Sequence, residues 1–203
     1  MGEVNTHFRK FKHGKKGIRL LVFAESFNRN IDNRYSVFAG VVIRGKYQVE
    51  DVRFSKATLY GMDATKTLIE LFRSISRPDI NLILVNGVIV SLYNVIDLIE
   101  LFEEIRKPVI AVSYRESSGL EKLLRSLPFG EKRLQVYRRN GARHKVILKN
   151  GFPLYIRTLG ISTKTALVLL NQLTEYGKIP EPIKVAKNIA RGVFMSLHGL
   201  FKC

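Results

Sequence analysis

The amino-acid sequence predicts an α/β fold, and three observations carry that expectation. Two continuous apolar runs, residues 82–85 and 109–112, flank a segment with helical spacing. Runs of this kind suit strands buried on both faces, as in a parallel sheet. Upstream, three further strand-like runs are separated by turn residues, and downstream lie two helical patterns headed by Ser162 and Pro180.

The elements can be justified in chain order. Residues 1–17 are basic and polar, and Gly14 and Gly17 break any regular element. This stretch reads as a flexible basic leader before a single domain at 18–203. Arg19 to Ala24 is a first buried strand and Tyr35 to Ile43 a second. Arg44-Gly45-Lys46 is a short turn into a third strand, about Tyr47 to Ser55. The alternation of Tyr47, Val49, Val52 and Phe54 breaks once, which a bulge near Glu50 and Asp51 explains. Asp63 heads a helix as its N-cap, because a carboxylate there accepts free backbone N–H groups. Pro78 follows the end of that helix. The strand-helix-strand unit comes next, its helical pattern running from Val88 to Ile105. Ser117 or Ser118 caps a short helix that Pro128 and Gly130 end. Residues 131–160 read as two or three short strands with basic turns. Ser162 caps a helix, and Pro180-Glu181-Pro182 opens the last one, where proline suits the first turn.

Ligands of open α/β sheets bind beyond the carboxyl ends of the strands. Asn86 and Gly87 stand at such an end and mark a candidate site. The run from Asn86 to Asp97, Asn-Gly-Val-Ile-Val-Ser-Leu-Tyr-Asn-Val-Ile-Asp, resembles an uncharacterised archaeal family related to endonuclease V. That family usually reads Asp-Gly-Ile-Thr-Phe-Ala-Gly-Phe-Asn-Val-Val-Asp here, so Asn86 replaces the leading acid. The family's first strand usually runs into Gly-Ile-Asp-Asp-Gly-Pro-Phe. In this chain Ala24 falls on the first acid and Glu25 on the second. Gly160-Ile161-Ser162 matches a further family motif. The run Pro180-Glu181-Pro182-Ile183-Lys184-Val185-Ala186-Lys187 stands where the family reads Pro-Glu-Pro-Leu-Arg-Val-Ala-His. The resemblance spans about Arg19 to Val193. It implies a ribonuclease H-like, endonuclease V-like fold: a mixed sheet flanked by helices, with additional C-terminal strands and helices.

The same resemblance implies where nuclease chemistry would sit. Such enzymes gather carboxylates because magnesium prefers hard oxygen ligands, and the ion polarises the phosphate and generates hydroxide. The candidate catalytic positions are Glu25, Asp63, Asn86 and Asp97, with Glu25 and Asp63 as metal ligands. Glu25 is one residue past the first expected ligand, and adjacent strand side chains point to opposite faces, so it reads either as a surface glutamate or as one turned in at a frayed strand end. Asp97 lies with Glu100, Glu103 and Glu104, which reads as a solvated acidic helix face. Asp32 reads as a turn former. The four histidines are scattered and the only cysteine is Cys203, so no zinc site or disulfide framework is expected.

Charge supplies the other signal. The 203 residues carry a net charge of +17. Residues 20–114 hold eleven basic and eleven acidic residues, whereas residues 115–149 hold ten basic and three acidic ones. A neutral segment with basic flanks suggests a scaffold presenting positive surface to a polyanion. The nucleic-acid-binding candidates are Lys132, Arg133, Tyr137, Arg138, Arg139, Arg143 and Lys145, grouped near Asn140-Gly141. Tyr137 could stack on a base. No apolar run approaches the ~18 residues of a membrane span, and a cytoplasmic location is the simplest reading. The leading expectation is a nucleic-acid-binding protein whose catalysis is impaired or absent. A second is an active metal-dependent endonuclease using Glu25, Asp63 and Asp97, with magnesium as cofactor. A third is a basic structural subunit of a larger assembly.

Overall fold

A computed structural model describes residues 17–31, 34–116 and 120–199. The basic leader, Asp32 and the Ser117 or Ser118 cap fall outside the described residues, apart from Gly17. Strands β1 (Arg19–Ser26), β2 (Tyr35–Arg44) and β3 (Gln48–Thr58) form an antiparallel meander. After helix α1 (Ala64–Ile75), strand β4 (Leu82–Asn86) returns parallel to β1. The expected bulge is present. Val42 pairs with Asp51 and Ile43 with Val49, which leaves Glu50 as the extra residue.

Residues 88–97 correct the sequence reading. They form a small hairpin, β5 (Ile89–Val90) and β6 (Asn94–Val95), rather than the start of a helix. Its turn places Ser91, Leu92 and Tyr93 at φ of 44, 53 and 73°. The apolar spacing that imitates a helix instead buries Val88, Val90, Val95 and Ile96, so tertiary packing overrides local periodicity. Helix α2 (Leu98–Ile105) begins only after Asp97 and leads to β7 (Val109–Ser113), parallel to β4.

Residues 131–139 are a second correction. They belong to helix α4 (Gly130–Arg139), which packs on the short helix α3 (Leu120–Arg125). Glu131, Lys132, Arg133, Leu134 and Gln135 are all strong helix formers. Strands β8 (His144–Ile147) and β9 (Pro153–Leu159) then extend the sheet, giving the order β3-β2-β1-β4-β7-β9-β8.

Strand alternation divides the core in two. Leu20, Val22, Ala24, Leu82 and Leu84 face helices α5 (Thr163–Leu173) and α6 (Glu181–Leu197). Leu21, Phe23, Ile83 and Val85 face α1 and α2. Full burial of each large apolar side chain contributes roughly 1.5–3 kcal/mol. Ser162 caps α5 as expected, its side chain accepting from Thr165 N. Among the described residues, no helix is long and apolar enough to cross a membrane.

Candidate nucleic-acid interface at the carboxyl end of the sheet

The three candidate acids are held apart by other duties. Glu25 pairs with Phe38 inside the β1–β2 ladder, so the strand end is not frayed there. Its side chain therefore falls on the α1 side of the sheet, opposite Ala24. The carboxylate accepts Ser91 N at 3.0 and 2.8 Å and Ser91 Oγ at 2.9 Å. Burial pushes its pKa up, and the Ser91 bonds oppose this only in part.

Asp63 occupies the N-cap position of α1 but makes no capping bond. Its carboxylate accepts from Thr58 N, Thr58 Oγ1 and Asn94 Nδ2. The free helix amide of Ala64 goes to Asn94 Oδ1 at 3.2 Å. The cap thus arrives from the hairpin, which local sequence cannot show. Asp97 is 4% exposed rather than solvated. It caps α2 by accepting Ile99 N and Glu100 N, and pairs with Arg139 Nη1 at 3.2 Å. Among the described residues, no group of three or more His, Cys, Asp or Glu could hold a metal ion.

The basic segment separates into inward and outward parts. Arg133, expected on the binding surface, is 0% exposed. It donates to the carbonyls of Pro128, Gly61, Tyr93 and Tyr60, and burial lowers its pKa. It pins α4 against the loops after β3 and in the hairpin. Arg138 pairs with Glu121 at 2.5 Å. Lys132 and Lys145 are exposed.

Tyr137 and Arg143 instead line a cavity of about 400 Å³ at the carboxyl ends of β4 and β7. Asn86, Gly87, Ser113, Tyr114, Arg115, Arg157 and Lys187 share that wall. Gly87 has φ of 82°, which turns the chain away directly after Asn86. Arg157 Nε donates to the Gly141 carbonyl at 2.9 Å, and its guanidinium lies 4.9 Å from the Tyr137 ring centre. Arg143 Nη1 donates to the Arg115 carbonyl at 3.2 Å, and its guanidinium carbon lies 5.4 Å from the Tyr155 ring centre. Sequence reasoning quoted Lys187 only within a motif and passed over Arg157. An arginine amid the apolar run of β9 was the available signal for the second.

A family profile described as Endonuclease dU matches residues 16–194. The chain belongs to the endonuclease dU family. A UPF0215 protein of Pyrobaculum aerophilum is 34% identical over 186 residues, which cover 90% of this chain and 98% of that protein. A UPF0215 protein of Methanopyrus kandleri is 32% identical over 188 residues, covering 91% and 95%. A crystal structure of a protein of unknown function from Archaeoglobus fulgidus aligns with a TM-score of 0.74 and 26% identity, covering 89% and 98% of the two chains. Ciona intestinalis endonuclease V, in complex with an inosine-containing DNA, aligns with a TM-score of 0.57 and 18% identity, covering 90% and 88%. The fold of this endonuclease dU family member is therefore endonuclease V-like, as the resemblance implied.

A magnesium ion does not fit the residues at the carboxyl end of this family member's sheet. Ala24 has no ligand atom and is 2% exposed, in the same apolar cluster as Ile183, Ala186 and Ala190 of α6. Asn86 offers only a neutral carbonyl oxygen. Among the described residues no carboxylate lines the cavity, which carries Arg115, Arg143, Arg157 and Lys187 instead. Hard divalent ions need anionic oxygen ligands, and four nearby cations oppose them.

Proposed function

We propose that this endonuclease dU family member binds nucleic acid through the carboxyl end of its sheet and has lost metal-dependent cleavage. The single observation that carries this reading is the lining of the cavity beside Asn86: among the described residues, four cations and no carboxylate. Such a surface attracts phosphate oxygens electrostatically. The outward Lys132 and Lys145 extend positive charge along the same segment. The inosine-containing DNA bound by the Ciona relative supports a nucleic-acid partner for this fold.

The proposal separates into a binding half and a chemical half, each with its own measurement. Neutralising phosphates releases condensed counterions, so affinity falls steeply with salt. About five contacts on duplex DNA give a log–log slope near −4 to −5. No binding at low salt would remove the nucleic-acid reading. Incubation with inosine-containing DNA or RNA and magnesium is expected to leave the strands intact. Cleavage above background that disappears in Glu25→Ala would overturn the loss of chemistry.

A further inference from the structure

Lys187 differs from the other cations of the cavity. It stands exposed on α6, beside Asn86, and has no hydrogen-bond or ion-pair partner among the described residues. Arg157 is held by Gly141 and Tyr137, so its guanidinium is already ordered. It uses one of five N–H donors, and the rest remain for a ligand. Tyr114 also lines the wall, and its hydroxyl is buried without a partner among the described residues. A buried hydroxyl left unsatisfied is costly, and an oxyanion that reached it would accept its hydrogen bond. The Asn86 amide adds a neutral N–H donor at the strand end. Every functional group in the wall that can carry charge or donate favours a ligand rich in acceptor oxygens.

We propose, resting on the nucleic-acid reading above, that this cleft is a metal-independent phosphodiester site. Lys187 Nζ supplies there the positive charge that a carboxylate-lined cleft obtains from a bound divalent ion. Arg143 and Arg157 hold the second side of the phosphate. At about 400 Å³ the cavity lies near the small end of ligand pockets, roughly 300–1,000 Å³. It therefore accepts one nucleotide unit of a strand rather than a duplex in cross-section. Lysine suits this role as a compact point charge on a flexible stem.

The test is fluorescence anisotropy with a labelled single-stranded oligonucleotide at low salt, in EDTA and in magnesium. The wild-type chain is expected to bind equally well in both. Lys187→Gln should weaken binding on the order of 5–10-fold and reduce the salt slope by about one unit. Lys187→Arg should retain most of the affinity. Lys164→Gln on α5 removes an exposed lysine away from the cavity, and should change affinity by less than about twofold. Lys187 is exposed on a helix, so the fold should survive, which unchanged melting would confirm. Binding by the wild type with unchanged affinity in Lys187→Gln would sink the cleft assignment while leaving the nucleic-acid reading intact. No wild-type binding would sink that reading itself. A requirement for magnesium would overturn metal independence. Displacement of the oligonucleotide by equimolar adenosine monophosphate would show a site for free nucleotides instead of a strand.

Discussion

The two ends of the central sheet are built from similar residues and reach opposite electrostatic outcomes. At the amino ends of β1 and β4, Glu50 Oε2 lies 2.8 Å from Arg19 Nε and 2.8 Å from Arg77 Nη2. Arg44 Nε reaches Glu50 Oε1 at 3.0 Å, and Asp79 joins Arg77 at 2.8 Å. The arginine hydrogen bonds hold the carboxyls of Glu50 and Asp79 below the usual range. Positive charge there is answered within the protein. At the carboxyl ends of β4 and β7, four cations and, among the described residues, no acid line a cavity. Charge balanced by neighbours serves the fold. The cations lining the cavity are the ones assigned above to the proposed contact with nucleic acid.

Arg133 is the instructive exception near the carboxyl end, because its duty is structural. Arg133→Met should leave the carbonyls of Pro128, Gly61, Tyr93 and Tyr60 without their donor. These carbonyls belong to exposed or half-buried loop residues that water can partly serve, so a loss of about 1–3 kcal/mol is expected in urea unfolding. A smaller loss would mean that water replaces the side chain and that α4 is held mainly by packing.

Introducing acids at Ala24 and at Asn86 should have different effects. Ala24 is sealed under α6, so Ala24→Asp buries an unpaired carboxylate. A destabilisation of roughly 2–4 kcal/mol is expected from thermal or urea melts. Asn86 is half-buried at the cavity wall, so Asn86→Asp should change stability little and instead weaken nucleic-acid binding. Equal stability losses at both positions would erase the distinction between sealed and open sites.

Charge changes at the two sheet ends should read out differently. Arg138 is paired with Glu121 and Arg139 with Asp97. Arg138→Ala should therefore lower affinity by less than about twofold, in contrast to Lys187→Gln. Glu50→Gln, at the opposite end, should lower the melting temperature and leave binding unchanged. If Glu50→Gln altered affinity as much as Lys187→Gln, binding would reflect overall charge and not a site.

The smallest effect is the pH dependence, which has opposite signs for two glutamates. Glu50 has a depressed pKa in the folded chain. Its contribution is present above the ordinary value of 4.5 and is lost as pH falls through the folded value. Glu25 has a raised pKa, so the folded chain holds its proton more tightly. Its contribution is present below 4.5 and is lost as pH rises through the folded value. Glu25→Gln should therefore melt higher than the wild type at pH 7, and the two should converge below 4.5. Divergence on acidification would mean that Glu25 is stabilised as the anion.

Much of the fold was legible because its signals are local. The buried runs of β1, β2, β4 and β7 follow from continuous apolarity, and the bulge at Glu50 follows from one break in alternation. The Ser162 cap needs only its own helix. That Ala24 and Asn86 stand where acids are expected came from the family resemblance and not from the chain alone. Strand alternation left Glu25 open between a surface position and one turned in at a frayed strand end, and the β1–β2 ladder decides between them.

Only the tertiary structure decided how those side chains are used. The hairpin at residues 89–95 defeated the helical reading, since its apolar residues satisfy a distant core and not a helix face. The same hairpin brings Ser91 to Glu25 and Asn94 to Asp63, across 66 and 31 residues of chain. Arg133 became a buried pin because four carbonyls from three separate segments meet it. Arg143, Arg157 and Lys187 converge from a loop, a strand and a helix onto the end of β4. Periodicity and capping are set by neighbours within a few residues. A binding site is set by which distant segments the packed core brings together.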